Sequence, residues 1–178
     1  TSWKARCAGA CMSILTAEVP TPFGPLWVGG DAARITEISW QPIAGPSHRG
    51  ELDWFVEALA GYLDRSLEAF PGGLGFEGQR PVWFKTAPAV RPESFTQKAY
   101  TAMCAIRYGQ TVSYAGLGRM LGNRFLARAV GNVCASNPVP IVVPCHRVVG
   151  ARSLGGYTPG LDKKRWLMAL ENPFLAER

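Results

Sequence analysis

A chain of 178 residues, 47% of them hydrophobic and 11% aromatic, holds enough apolar mass for a real core; that excludes a disordered segment and fits one large domain or two small ones. No apolar run approaches the roughly 18 residues that a membrane span requires. The net charge of +6 is uneven: residues 1–90 hold 7 Lys/Arg against 9 Asp/Glu (net −2), and residues 91–178 hold 12 against 4 (net +8).

A basic second half favours phosphate backbones over a plain solvated surface as the reason for the charge. The start of the chain has no basic-then-apolar leader pattern. An intracellular setting is therefore expected, cytoplasmic in a prokaryote or nuclear in a eukaryote, with no membrane partner. Five cysteines (Cys7, Cys11, Cys104, Cys134 and Cys145) show no framework spacing, so reduced thiols are the default.

In chain order, Met12–Val19, Leu26–Gly29 and Arg34–Trp40 read as three strands of a small meander, with Pro- and Gly-rich turns between them. A helix over about Glu51–Leu67 follows, its stripe of Leu52, Phe55, Val56, Leu59 and Leu63 reading as core and nothing more. From Phe70 to Pro92 the density of Gly and Pro predicts a linker. The expected division is thus an N-terminal structural domain over 1–90, with that linker at its end, and a C-terminal functional domain over 91–178.

The second half reads as mostly helical. Ser94–Ile106 puts Phe95, Ala99, Met103 and Ile106 on one face. Ser113 is placed to cap a short helix from Tyr114 to Leu121, and Asn123, after Gly122, to cap another from Arg124 to about Ala135. Two helices across a tight Gly turn make a helix-turn-helix candidate, although any helical hairpin would look similar. Arg124 and Arg128 stand one turn apart on the second helix, beside the small residues Ala127, Ala129 and Gly131, which permit close approach to a groove. Asn137-Pro138-Val139-Pro140 then stops the helix.

The apolar run that follows, Ile-Val-Val-Pro-Cys-His-Arg-Val-Val over 141–149, delivers Cys145 to the end of a short buried segment, read as a strand ended by Pro144. Most free cysteines are simply small buried residues. Here an imidazole is adjacent, and a cysteine is a nucleophile only as thiolate, which a base must generate at neutral pH. A helix over Lys163–Leu170 brings Glu171 to the core.

Taken in order, Tyr108-Gly-Gln-Thr-Val-Ser-Tyr114, Ala127-Arg-Ala-Val-Gly131, Asn137-Pro-Val-Pro140, Pro144-Cys-His-Arg-Val148, Gly155-Gly-Tyr157 and Leu170-Glu171 resemble the O6-alkylguanine-DNA alkyltransferases, also called methylated-DNA–protein-cysteine methyltransferases. The match is close over Phe95–Glu171 and looser upstream. The resemblance implies an α/β (α+β) protein, with a ribonuclease H-like N-terminal meander and helix packed on a helical domain with a winged-helix-like helix-turn-helix.

It further implies irreversible, single-turnover transfer of an alkyl group from O6-alkylguanine in DNA onto Cys145, and leaves open whether O4-alkylthymine is also a substrate. His146 would take the thiol proton through a water and Glu171 would orient His146. Tyr114 would offset charge on the departing guanine. Backbone groups of Cys145, Val148 and Thr158 would read the base, with Tyr157 walling the pocket. Arg128 would replace the flipped nucleotide, while Ser113, Ala127, Ala129 and Gly131 face the minor groove and Asn137 braces the turn before the cysteine.

The expected partner is double-stranded DNA bound by a monomer, with no cofactor and no metal. Cys7, Cys11 and His48 fall short of a tetrahedral zinc set. The sequence departs from the family's pattern at Arg124-Phe125-Leu126, where Pro-Lys or Pro-Arg and a small residue are common, and at Pro159, where glycine is common. The alternatives are a lesion-binding relative without transfer, a Cys-His hydrolase and a transcription regulator.

Overall fold

The computed structural model describes residues 14–47, 49–89 and 91–175. Three strands, β1 (Leu15–Val19), β2 (Leu26–Asp31) and β3 (Arg34–Ser39), form the expected antiparallel meander. Their inward residues Ala17, Val19, Leu26, Val28, Ile35 and Ile38 are buried. Helix α1 (Arg49–Leu63) packs its stripe of Leu52, Phe55, Val56 and Leu59 against them, and the stripe ends in a fully buried Tyr62.

The segment expected as a linker instead carries a hairpin, β4 (Gly73–Glu77) and β5 (Arg80–Phe84). β5 pairs with β3, giving a five-stranded sheet in the order β1-β2-β3-β5-β4 with every pairing antiparallel. The glycines that suggested a loop serve close packing. A Cβ at Gly75 would lie 2.5 Å from the Phe84 ring, so only glycine lets that strand approach.

The second half is mostly helical. α2 (Phe95–Cys104) starts at a capping box: Ser94 accepts from the Gln97 N–H, and the Gln97 side chain accepts from the Ser94 N–H. α3 (Tyr114–Met120) is capped by Ser113, whose hydroxyl accepts from the Gly116 N–H at 3.0 Å. After the turn at Gly122, Asn123 caps a 3-10 turn (Arg124–Leu126) that runs into α4 (Ala127–Ala135). α5 spans Leu161–Glu171.

The apolar run at 141–149 is not the strand its composition predicts. Pro140 and Pro144 withhold ladder donors, Ile141 adopts φ 78°, and Cys145–Arg147 forms a 3-10 turn. Only β7 (Val148–Val149) is extended, pairing in parallel with β6 (Val112–Ser113). The loop closes on itself, with the Val143 N–H donating to the Val139 carbonyl and the Arg147 N–H to the Pro144 carbonyl. β3 braces it from the other half, because the Ile38 N–H donates to the Pro138 carbonyl at 2.8 Å. One continuous buried cluster runs from Ala17 through Tyr62 and Tyr100 to Leu167.

Candidate functional site

Cys145 is 4% exposed and borders two cavities. The first, about 250 Å³, is lined by Tyr114, Gly131, Cys134, Ala135, Tyr157 and Thr158. The second, about 330 Å³, lies toward β3, with Trp40, Asn137, Pro140, Thr158 and Pro159 on its walls. The Asn137 amide donates to the Cys145 sulfur at 3.2 Å and to the Val143 carbonyl at 2.8 Å, while its oxygen accepts from the Val139 N–H. Asn137 thus ties the sulfur to the turn that carries it. Burial pushes the Cys145 thiol up, opposed by the Asn137 hydrogen bond and the Lys164 charge. A thiol in this position needs a base to ionise.

His146 is fully buried, and its Nε2 lies 2.7 Å from Glu171 Oε1. Glu171 is saturated with donors. Arg147 Nε reaches both carboxylate oxygens at 3.0 Å, Arg147 Nη2 reaches Oε1 at 2.9 Å, the Tyr62 hydroxyl donates to Oε1 at 2.5 Å, and the Gly109 N–H donates to Oε2 at 2.9 Å. Burial alone would raise the Glu171 carboxyl. The bonds from His146 and Arg147 outweigh it and hold the group at about 2.

Burial lowers the His146 imidazole against the pull of Glu171. An ionised carboxylate has only lone pairs, so a neutral His146 must carry its proton on Nε2. That leaves Nδ1 as the basic nitrogen, and Nδ1 is buried with no hydrogen-bond partner among the described residues. Arg147 also donates to the Ile106 carbonyl at 2.7 Å.

Tyr114 begins α3 and walls the first cavity. Its hydroxyl accepts from the Gly156 N–H at 3.1 Å and lies 3.3 Å from the Gly156 carbonyl. Gly155 makes this approach possible: its φ is 69°, and a Cβ there would fall 2.6 Å from the Tyr114 ring. The Tyr157 hydroxyl is shielded from solvent and has no partner among the described residues. The Thr158 hydroxyl donates to the Ala135 carbonyl at 3.0 Å. Gly131 sits in the cavity wall on α4, Arg128 is exposed one turn earlier, and Ala127 and Ala129 are partly exposed.

Two residues went unread in the sequence. Tyr62 brings a hydroxyl from α1 to Glu171, and the available signal was a polar-tipped aromatic at the end of an apolar stripe, which needs a partner once buried. Lys164 is fully buried on the face of α5 that also carries Leu167, Met168 and Glu171. Its ammonium donates to the carbonyls of Val148 (2.7 Å) and Gly156 (3.0 Å). Burial pulls this lysine down to about 8. Its helical spacing from Leu167 and Glu171 was the legible signal.

Cys7, Cys11 and His48 lie outside the described residues. Among the described residues no helix is long and apolar enough to cross a membrane.

A family model described as the DNA-binding domain of 6-O-methylguanine DNA methyltransferase matches residues 94–173. The methylated-DNA–protein-cysteine methyltransferase of Salmonella typhimurium is 34% identical over 175 residues, covering 92% of this chain and 99% of that protein. The protein of the same name from Mycobacterium bovis is 32% identical over 154 residues, 86% of this chain and 89% of its own length. The crystal structure of Mycobacterium tuberculosis OGT in complex with DNA matches with a TM-score of 0.72 at 29% identity, covering 90% of this chain and 94% of that one.

A mixed α/β frame with an antiparallel sheet, a buried cysteine and that degree of likeness place the chain in the methylated-DNA–protein-cysteine methyltransferase family. Its activity is DNA repair by alkyl transfer.

Proposed function

We propose that the chain restores O6-alkylguanine in duplex DNA by moving the alkyl group onto Cys145, once per molecule. The observation that carries this reading is the Glu171–His146 hydrogen bond, directly next in sequence to a cysteine that opens on a tyrosine-walled cavity. His146 Nδ1 takes the Cys145 proton through a water, and Glu171 fixes the tautomer and stabilises the imidazolium. The sulfur lone pair forms the S–C bond as the C–O6 bond breaks, and that electron pair passes to the purine. The proton taken from the thiol is returned to the base, so the products are neutral guanine and a thioether. A thioether offers no ready leaving group, hence a single turnover.

Tyr114 offsets charge on the departing purine, a role its Gly156 hydrogen bonds prepare by fixing the ring. Backbone groups of Cys145, Val148 and Thr158 read the base, and Tyr157 closes the pocket. The Val148 carbonyl already accepts from Lys164 and keeps a second lone pair for the exocyclic amine.

O6 is hidden in a duplex, so the nucleotide is flipped, at about a few kcal/mol. Arg128 fills the gap, and Ser113, Ala127, Ala129 and Gly131 allow α3 and α4 to approach the minor groove, whose degenerate pattern suits repair in any sequence. We read the β1–β3 meander with α1 as ribonuclease H-like and the α3–α4 hairpin beside β6 and β7 as winged-helix-like. The protein acts as a monomer in the DNA-containing compartment, the cytoplasm in a prokaryote.

Intact mass and peptide mapping after incubation with an O6-methylguanine duplex test the reading. One methyl on the Cys145 peptide, saturating at one per protein with guanine restored, is expected. Tight DNA binding without an adduct would overturn transfer in favour of lesion binding alone.

A further inference from the structure

The 3-10 turn that leads into α4, the helix lining the base cavity, carries an exposed aromatic ring that the internal packing leaves uncovered. Phe125 is 79% exposed. Its backbone is pinned, because its N–H donates to the Asn123 side chain at 2.9 Å. The Arg124 guanidinium sits 5.0 Å from its ring centroid. An exposed ring on a pinned backbone beside a cation contributes little to folding and is well suited to a surface that is apolar between phosphates.

Its position along the helix identifies that surface. Phe125, Arg128, Asn132 and Ala135 are exposed at helical spacing, whereas Val130 and Val133 face the core. The same stripe reaches the base cavity through Gly131 and Ala135. From Gly131 back to Phe125, six residues of mixed α and 3-10 helix advance about 10 Å. At about 3.4 Å per nucleotide that is about three base steps. If the cavity receives the flipped nucleotide and Arg128 fills its place, Phe125 meets the groove a few steps away.

We propose that Phe125 is an apolar wedge that enters the groove of the bound duplex beside Arg128 and partly unstacks a base step near the flipped nucleotide. The proposal rests on the DNA-binding reading above and adds a contact to it. Apolar side chains that enter the minor groove kink the duplex and ease distortion nearby, so the wedge would lower the cost of flipping. Arg124 holds the ring from one side and meets a phosphate on the other.

The test compares wild type, Phe125→Ala, Phe125→Leu and Phe125→Lys by fluorescence anisotropy on undamaged and O6-methylguanine duplexes at two or more salt concentrations. A 2-aminopurine two or three steps from the lesion reports unstacking. Thermal melting and the rate with free O6-benzylguanine, which needs only the pocket, report folding. Phe125→Ala is expected to weaken duplex binding about tenfold and to lose most of the 2-aminopurine signal, with an unchanged slope of log affinity against log salt. Leucine recovers part of both, and lysine steepens the slope by about one ion without restoring the signal.

Binding within twofold of wild type in Phe125→Ala, or an unchanged 2-aminopurine signal, overturns the wedge. Because this comparison is made on undamaged DNA as well, it stands even where Cys145 takes no methyl group. That separate result would defeat the transfer reading alone.

Discussion

Glu171 and Phe125 are opposite extremes of burial within one molecule. The Glu171 carboxylate accepts from His146, Arg147, Tyr62 and the Gly109 N–H, and the His146 and Glu171 side chains are at most 1% exposed. On the stripe formed by the 3-10 turn and α4, Phe125 and Arg128 are exposed to solvent. Buried charge is tolerable only when every lone pair is matched, so the chemical centre must be complete before any substrate arrives. A DNA-facing stripe gains nothing from internal partners, because its matching groups belong to the duplex. Mutations should therefore divide: those at the centre affect folding and chemistry together, and those on the stripe affect DNA binding and transfer from DNA without affecting folding.

The largest break in that division is at the reacting atom. Cys145→Ser should abolish alkyl transfer, because a hydroxyl is far less acidic and less nucleophilic than a thiol, while duplex affinity stays near wild type. Loss of binding to the same extent as transfer, in anisotropy beside the mass assay, would argue against separate roles for the two regions.

Glu171→Gln comes next. It leaves the Arg147 charge buried without its counter-ion, and breaking a buried pair typically costs about 3–5 kcal/mol, readable by urea unfolding. The pH dependence has a definite sign. Glu171 sits at about 2 in the folded chain against about 4.3 when free, so its contribution is full above pH 4.3 or so. It should be lost as the pH falls toward 2, by about 3 kcal/mol in all. Urea midpoints at pH 6, 4 and 3 should fall for wild type and change much less for Glu171→Gln. Parallel curves would place the acid-sensitive group elsewhere.

These residues also show how far the sequence could be read. Cys145, His146 and Glu171 were legible because the order of short motifs is specific and Cys145 and His146 are adjacent. Ser113 and Asn123 were legible as helix caps because capping is a local hydrogen bond. The β4–β5 hairpin was not. Gly73 and Gly75 are needed for contact with Ala87 and Phe84, and a close-packing glycine looks like a loop glycine until its neighbour across the sheet is known. The run at 141–149 failed as a strand for a related reason: its β-branched residues report burial, and here a proline-bounded loop supplies the burial. Tyr62 reaches Glu171 across 109 positions, a contact that no local pattern encodes.

On the binding stripe, Arg128→Ala should weaken duplex affinity about tenfold and slow transfer from duplex DNA, with the rate on a free base near wild type. Stability should move by less than about 0.5 kcal/mol, as for other exposed sites. A stability loss comparable to that of Glu171→Gln would mean that Arg128 belongs to the internal framework.

The finest cut lies inside the centre itself. Tyr62→Phe keeps the ring packed against Phe70 and Tyr108 and removes the hydroxyl that donates to Glu171 and lies 3.4 Å from His146 Nε2. Four other N–H···O contacts still serve that carboxylate, three from Arg147 and one from Gly109, in addition to the His146 bond. The cost should then be that of one hydrogen bond to a charged group, about 1.5–3 kcal/mol, well short of Glu171→Gln. The folded carboxyl should rise from its depressed value, moving the acid-unfolding midpoint up in pH. Transfer should slow only a few-fold, because His146 keeps its orienting carboxylate. A hundredfold loss of rate at unchanged stability would mean that the Tyr62 proton takes part in the chemistry, and that the sheet half of the molecule contributes to the reaction as well as to its support.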